Sequence, residues 1–267
     1  MKAQEIMGWL YSFGEGTDYS KTWDVKISGC SDAEVTKVAV TMIATVDVIK
    51  AAAEWGAQLL ITHEPTFFTC DDSETQEPIC RAKRKLVDDL GITIYRFHDH
   101  THYNKPDLIC EGEIRKMQLD GDVEYPDAID LVRVTLHQPI APVELARMLE
   151  ERLNIKHIRI YGNLNNPITN VSLMAGTPGG VFEEFIREET ELLMVGEANE
   201  VCFGENVRDA AALGFNKTVF VLGHVGSERD GMSYTAELLQ EQFPQLDVRY
   251  FECTEVLKYS DSDEVTV

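Results

Sequence analysis

The chain has 267 residues, 44% of them hydrophobic and 26% charged, with a formal net charge of −22. That length is enough to bury a large core and sits near the size at which one core divides into two lobes. No apolar run is long enough to span a bilayer, and an acidic excess argues against a partner gripped by its phosphates, so neither a membrane nor a nucleic acid is expected as partner. The charge itself reads first as solubility, with a favourable field for cations as a modest addition. Met1 to Leu10 reads as a mixed polar and apolar helix, not a secretory signal, so the expected location is the cytoplasm. Six cysteines (Cys30, Cys70, Cys80, Cys110, Cys202, Cys253) form no CxxC pair and read as reduced packing thiols.

Helix and strand signals alternate along the chain, which favours α/β architecture, and no repeat of fixed period is present. Residues 11–32 are rich in Gly, Ser, Thr and Asp and read as a loop or edge hairpin. Glu34 to Met42 has β-branched residues at strand density, Val46 to Trp55 has helical spacing and stops at Gly56, and Leu59 to Pro65 is a second strand. Together they form one βαβ unit. Residues 69–77 are polar and acidic and predict a mobile loop over the end of that second strand. Pro78 to Leu90 reads as a helix stopped by Gly91, and Ile92 to Phe97 as a strand running into His98-Asp99-His100-Thr101-His102. A helix over Gly112 to Leu119 and a turn-rich stretch from Asp120 to Asp130 lead to the second lobe.

In that lobe Leu131 to His137, Ile155 to Tyr161, Val171 to Met174, Leu192 to Val195 and Thr218 to Leu222 read as strands. Ala141 to Leu153, Val181 to Glu188 and Asn206 to Leu213 read as helices. Met232 to Gln242 is a further helix, Asp247 to Phe251 a last strand, and residues 260–267 an acidic tail expected to be disordered. The expected division is a first lobe over 1–125, onto which 224–267 packs back, and a second over 126–223.

Three strands end on groups that bind metals: His63-Glu64, His98 to His102, and His224 with Glu228. Mixed imidazole and carboxylate donors suit Zn, Mn, Fe, Co or Ni, whereas Mg and Ca sites are mostly oxygen. The set is too large for one tetrahedral ion and suits two ions sharing a carboxylate, an arrangement that supplies hydroxide from bound water at neutral pH. Taken singly, His63 is as readily a satisfied core histidine, Glu64 a surface charge, and Glu228 an acidic residue in the first turn of a helix capped by Ser227. The histidine run differs, because alternating imidazoles would share one face of an extended segment, and burying three together without a ligand is costly. Gly176 to Gly180 precedes a helix but lacks a P-loop lysine, so a tight turn is as good a reading as an anion site, and no nucleotide site is predicted.

The order of these motifs resembles the NIF-three-like dinuclear metal-centre proteins, also labelled GTP cyclohydrolase 1 type 2 homologues. The resemblance runs from about Glu34 to Phe251. Its most specific parts are Ile61 to Pro65, His224 with Glu228, and Ala175 to Gly180 with Gly196-Glu197. It implies a two-lobed α/β fold with mixed sheets flanked by helices, two divalent ions in a cleft between the lobes, and a ring-shaped hexamer. It further implies His63, Glu64, His102, His224 and Glu228 as ligands, and leaves open whether His98, His100 or Asp99 joins them. Glu64 stands where the family has a second histidine and His102 where it has an aspartate, so the two have traded places and the formal charge of the ligand set is unchanged. A histidine that many members carry after the Gly-Glu segment has no counterpart between Ala198 and Ala210.

The activity expected is metal-dependent hydrolysis of a small molecule. His63, His102 and His224 would fix the ions, Glu64 or Glu228 would bridge them or orient the nucleophile, and Asp99, His98 or His100 would move a proton. The alternative is a non-catalytic metal-binding, sensing or interaction protein that forms a ring.

Overall fold

The computed structural model describes residues 1–14, 22–67 and 77–260. Except for Glu77, the polar loop expected over 69–77 lies outside the described residues, as do Cys70 and the tail beyond residue 260. The elements run α1 (Ala3–Leu10), β1 (Lys26–Ser28), β2 (Lys37–Thr41), α2 (Val46–Trp55), β3 (Leu59–Thr62), α3 (Pro78–Leu90), β4 (Thr93–Arg96), α4 (Asp99–Tyr103) and α5 (Leu108–Met117). They continue with β5 (Gly121–Glu124), β6 (Leu131–Ile140), α6 (Pro142–Arg152), β7 (Arg159–Gly162), β8 (Ile168–Met174), α7 (Val181–Ile186) and β9 (Leu192–Val195). A π-helical turn (Glu200–Gly204) then leads into α8 (Glu205–Ala212), β10 (Thr218–Val221), a 3-10 turn (Val225–Ser227), α9 (Arg229–Gln242) and β11 (Asp247–Tyr250).

The chain divides into two compact units, Met1–Lys105 with Met232–Val267, and Pro106–Gly231. The divisions expected from sequence were 125/126 and 223/224; here the segment carrying α5 and β5 goes with the second unit, where β5 pairs with β6.

The first unit holds a five-stranded sheet in the order β1-β4-β3-β2-β11. β11, β2, β3 and β4 are mutually parallel, and β1 closes one edge antiparallel to β4. All four residues of β3 and all four of β4 are buried, as inner strands of a sheet covered on both faces must be. Local signals place the helices. Thr45 accepts the Val48 N–H at the start of α2, and Gly56 ends it at φ 87°, a left-handed value that a Cβ disfavours. α3 begins at Pro78, whose missing N–H costs nothing in a first turn, with Glu77 accepting from Ile79.

The second unit holds a six-stranded sheet in the order β5-β6-β8-β9-β10-β7, parallel across β8, β9 and β10 and antiparallel elsewhere. Its two faces are both apolar. Leu192 and Met194 of β9 join a cluster with Leu145, Leu149 and Met117, while Leu193 and Val195 join Phe185, Phe203 and Val207 on the other side. That period-two alternation sandwiches the sheet between helices. The fold class is therefore mixed α/β, as the sequence predicts.

Two expected elements differ. Asp120 to Asp130 is not all turn, since Gly121–Glu124 forms β5; three of its four residues are exposed, so an edge strand carries no apolar alternation to betray it. The run His98 to His102 is not extended. It forms the short helix α4, with consequences for which histidines meet.

Candidate metal centre

In the first unit the site grows from the carboxyl ends of β3 and β4. The Met42 carbonyl accepts the N–H groups of both His63 (3.1 Å) and Glu64 (3.0 Å), turning the chain sharply after Thr62. His63 is fully buried, and its Nδ1–H donates to the Phe97 carbonyl at 3.1 Å. That bond selects the tautomer with its lone pair on Nε2, the form that binds a metal. Burial first, and then the neighbouring His98 and His102, push the His63 pKa well below 6.5, so the ring is neutral at physiological pH.

Helix α4 decides the rest. In a helix, positions i and i+4 share a face while i+2 points nearly opposite. His98 and His102 therefore stand together beside His63, with ring centroids of 4.5 Å for His63–His98 and 5.1 Å for both His63–His102 and His98–His102. The ligand atoms of His63, His98 and His102 all lie within 4.8 Å of one another. His100 turns away, its Nδ1–H donating to Asp24 and its ring lying 4.2 Å from that of Tyr11. The expectation that the alternating histidines share one face is corrected by this helical geometry.

Around this triad, His98 Nδ1–H donates to Asp99 Oδ1 at 2.9 Å, and Trp23 N–H donates to Asp99 Oδ2 at 2.8 Å. Burial pushes the Asp99 carboxyl up, but these hydrogen bonds outweigh it and leave its pKa below the ordinary 3.8. Asp99 thus orients His98 through Nδ1. Glu64 Oε1 lies 3.7 Å from His98 Nε2, and its Oε2 lies 3.8 Å from the buried guanidinium of Arg96, whose Nε–H donates to the His63 carbonyl at 3.2 Å.

In the second unit, the chain leaves β10, turns at Gly223 (φ 91°) and delivers His224 and Glu228 one turn apart. His224 Nδ1–H donates to Glu197 Oε1 at 2.7 Å, and its Nε2 lies 3.3 Å from Glu228 Oε2. Glu228 is buried, whereas the His224 side chain is 28% exposed. The glycine motifs acquire a reason here. A Cβ on Gly176 (φ 62°) would overlap the Glu228 carboxylate, and one on Gly196 would overlap both the Gly176 carbonyl and the Ser227 hydroxyl. Gly176 N–H donates to Ser227 Oγ, which donates to the His224 carbonyl, each at 3.0 Å. The glycine-rich turn is thus a close-approach surface for the His224–Glu228 segment.

A family model described as Duf34/NIF3 (NGG1p interacting factor 3) matches residues 1–256. The chain belongs to the Duf34/NIF3 family. Among relatives of this family, a "GTP cyclohydrolase 1 type 2 homolog" of Clostridium perfringens is 24% identical over 222 residues, covering 80% of this chain and 81% of that one. A protein of the same name from Clostridium acetobutylicum is 23% identical over 207 residues, covering 75% of each chain. Among solved structures, protein ybgI, of unknown function, has a TM-score of 0.77 at 21% identity, covering 96% of this chain and 99% of its own. A Bacillus cereus protein related to NIF3 gives a TM-score of 0.74 at 14% identity, covering 97% of this chain and 99% of its own. These structural likenesses establish a shared Duf34/NIF3 fold.

Sequence reasoning passed over Asp24, Arg96 and Glu197 as parts of the site. Arg96 had a signal, a charge inside an otherwise apolar strand. Glu197 belonged to a recognised motif but had no assigned task, and Asp24 lay in a stretch read only as loop.

Proposed function

We propose that this protein binds two divalent metal ions and acts as a metal-dependent hydrolase on a small molecule. The observation that carries the reading is the convergence of His63, His98 and His102 within 4.8 Å, with His63 held neutral by burial. Imidazole donors with Glu64 beside them fit a borderline divalent ion such as Zn, Fe, Mn, Co or Ni, and His224 with Glu228 offers a second imidazole and carboxylate pair. Bound there, such an ion lowers the pKa of a coordinated water enough to supply hydroxide near neutral pH.

The residues of the chain prepare the donors. The Phe97 carbonyl, Asp99 and Glu197 hold the Nδ1 protons of His63, His98 and His224, which leaves Nε2 as the donor nitrogen in each ring. Glu64 and Glu228 are the carboxylates beside these imidazoles and would help hold the ions or orient the nucleophile. The side chains of His98 and His224 keep 24% and 28% exposure, which suits a site open to substrate better than a closed structural one. No described helix is long and apolar enough to cross a membrane. The same reading takes the protein as cytoplasmic and, on the family resemblance, as a ring-shaped hexamer.

The test is turnover. Metal-loaded protein, chelated protein and His63→Ala are offered phosphoesters, cyclic amides and nucleotides, the last because the relatives carry a GTP cyclohydrolase label. Hydrolysis that needs both metal and His63 supports the reading; bound metal with no turnover across the panel assigns the site to sensing or scaffolding instead.

A further inference from the structure

We propose that Asp24 is a positioning residue for the three-histidine cluster, an inference that rests on the metal-centre reading above and adds what sets its geometry. Helix α4 spans five residues and its N-cap, His98, makes no side-chain capping bond. A helix this short does not hold itself, and its first N–H groups need outside acceptors. Asp24 supplies them. Its Oδ1 accepts from the N–H of His98 at 2.5 Å and of Asp99 at 2.7 Å, and its Oδ2 accepts from the N–H of His100 at 3.1 Å and from the His100 ring. The side chains of Asp24 and His100 are both fully buried.

The carboxylate is itself anchored from both sides. Trp23 N–H reaches Asp99 at 2.8 Å, Val25 and Arg96 exchange backbone hydrogen bonds at 3.2 and 2.9 Å, and the Asp24 N–H donates to Thr22 Oγ1 at 3.0 Å. Asp24 thereby draws three successive amides and one imidazole onto a single point. That choice of helical phase sends His100 inward and leaves His98 and His102 together beside His63. Any other phase turns the pair away from His63.

The test is titration of metal-free full-length protein with Co²⁺, read by visible absorption, for wild type, Asp24→Ala and Asp24→Asn. Asp24→Ala is expected to weaken Co²⁺ binding by about 10- to 100-fold and to change the ligand-field bands, the range found when groups supporting metal ligands are removed. Asp24→Asn keeps one oxygen for the amides but turns an NH₂ toward His100, so an intermediate loss is expected, and it gives the answer if the alanine variant fails to fold. Variants that lose thermal stability yet keep the wild-type affinity and spectrum would show a merely structural cap and overturn the proposal. Wild type that binds no Co²⁺ would overturn the metal-centre reading itself, and the positioning role with it.

Discussion

His98 and His102 stand one helical turn apart on α4 with ring centroids 5.1 Å apart, while the histidine between them faces the other way. Their separation in sequence matters less than the phase of the helix that carries them. The same relationship sorts the histidine run into two that face His63 and one that ties the helix down.

That sorting predicts opposite phenotypes. His102→Ala should lower metal affinity by about tenfold or more, because a donor is lost. His100→Ala should leave the metal content near that of wild type and cost about 1–3 kcal/mol of stability, since a buried carboxylate loses a hydrogen bond. Metal analysis and urea unfolding of the two variants side by side check both halves.

Gly176→Ala should damage the second unit's histidine and carboxylate from a distance in sequence. The added methyl would overlap the Glu228 carboxylate and sit at a φ of 62° that alanine disfavours. A loss of more than about 1 kcal/mol in stability is expected, together with weaker metal binding; Gly179→Ala, where a Cβ meets nothing within 4 Å, is the control.

The stability of the metal-free protein should fall in mild acid through His63. Its folded pKa is depressed below 6.5 while the unfolded chain titrates at the ordinary value. The contribution is therefore complete above about pH 6.5 and is lost as pH falls below it, by at most ~1.4 kcal/mol per pH unit for one group. Urea midpoints between pH 8 and 5.5 should drop more steeply for wild type than for His63→Asn.

Glu113 should act in the opposite sense. It is fully buried in the second unit, its Oε1 accepting from the Asp230 N–H at 2.9 Å. Burial first, and then the charge of Asp230, push its pKa well above 4.5. Its stabilising contribution is therefore complete below about pH 4.5 and declines as pH rises toward the folded value. Glu113→Gln cannot ionise, so the stability difference from wild type should move in the variant's favour as pH is raised; a difference independent of pH would show that Glu113 is ionised when folded.

Local chemistry made much of the fold legible. The bounds of α2 and α3 follow from Gly56, Pro78 and Gly91, which act within one turn of where they stand. β5 escaped because an exposed edge strand needs no apolar pattern, only β6 beside it. α4 escaped for a different reason. Alternating histidines fit a strand, and the carboxylate that holds them in a helix lies 74 to 76 residues upstream. Likewise Glu197 sits 27 residues before the His224 ring it orients, a pairing that only the adjacent ends of β9 and β10 bring about.

The proposed function requires that the His63 donors and the His224 donors each contribute to binding divalent ions, two per chain. The decisive measurement is elemental analysis of purified protein reloaded with metal, with His63→Ala and His224→Ala beside wild type. Two ions per chain are expected in wild type, with a loss in each variant and the fold retained. Fewer than one ion per chain in reloaded wild type would contradict it.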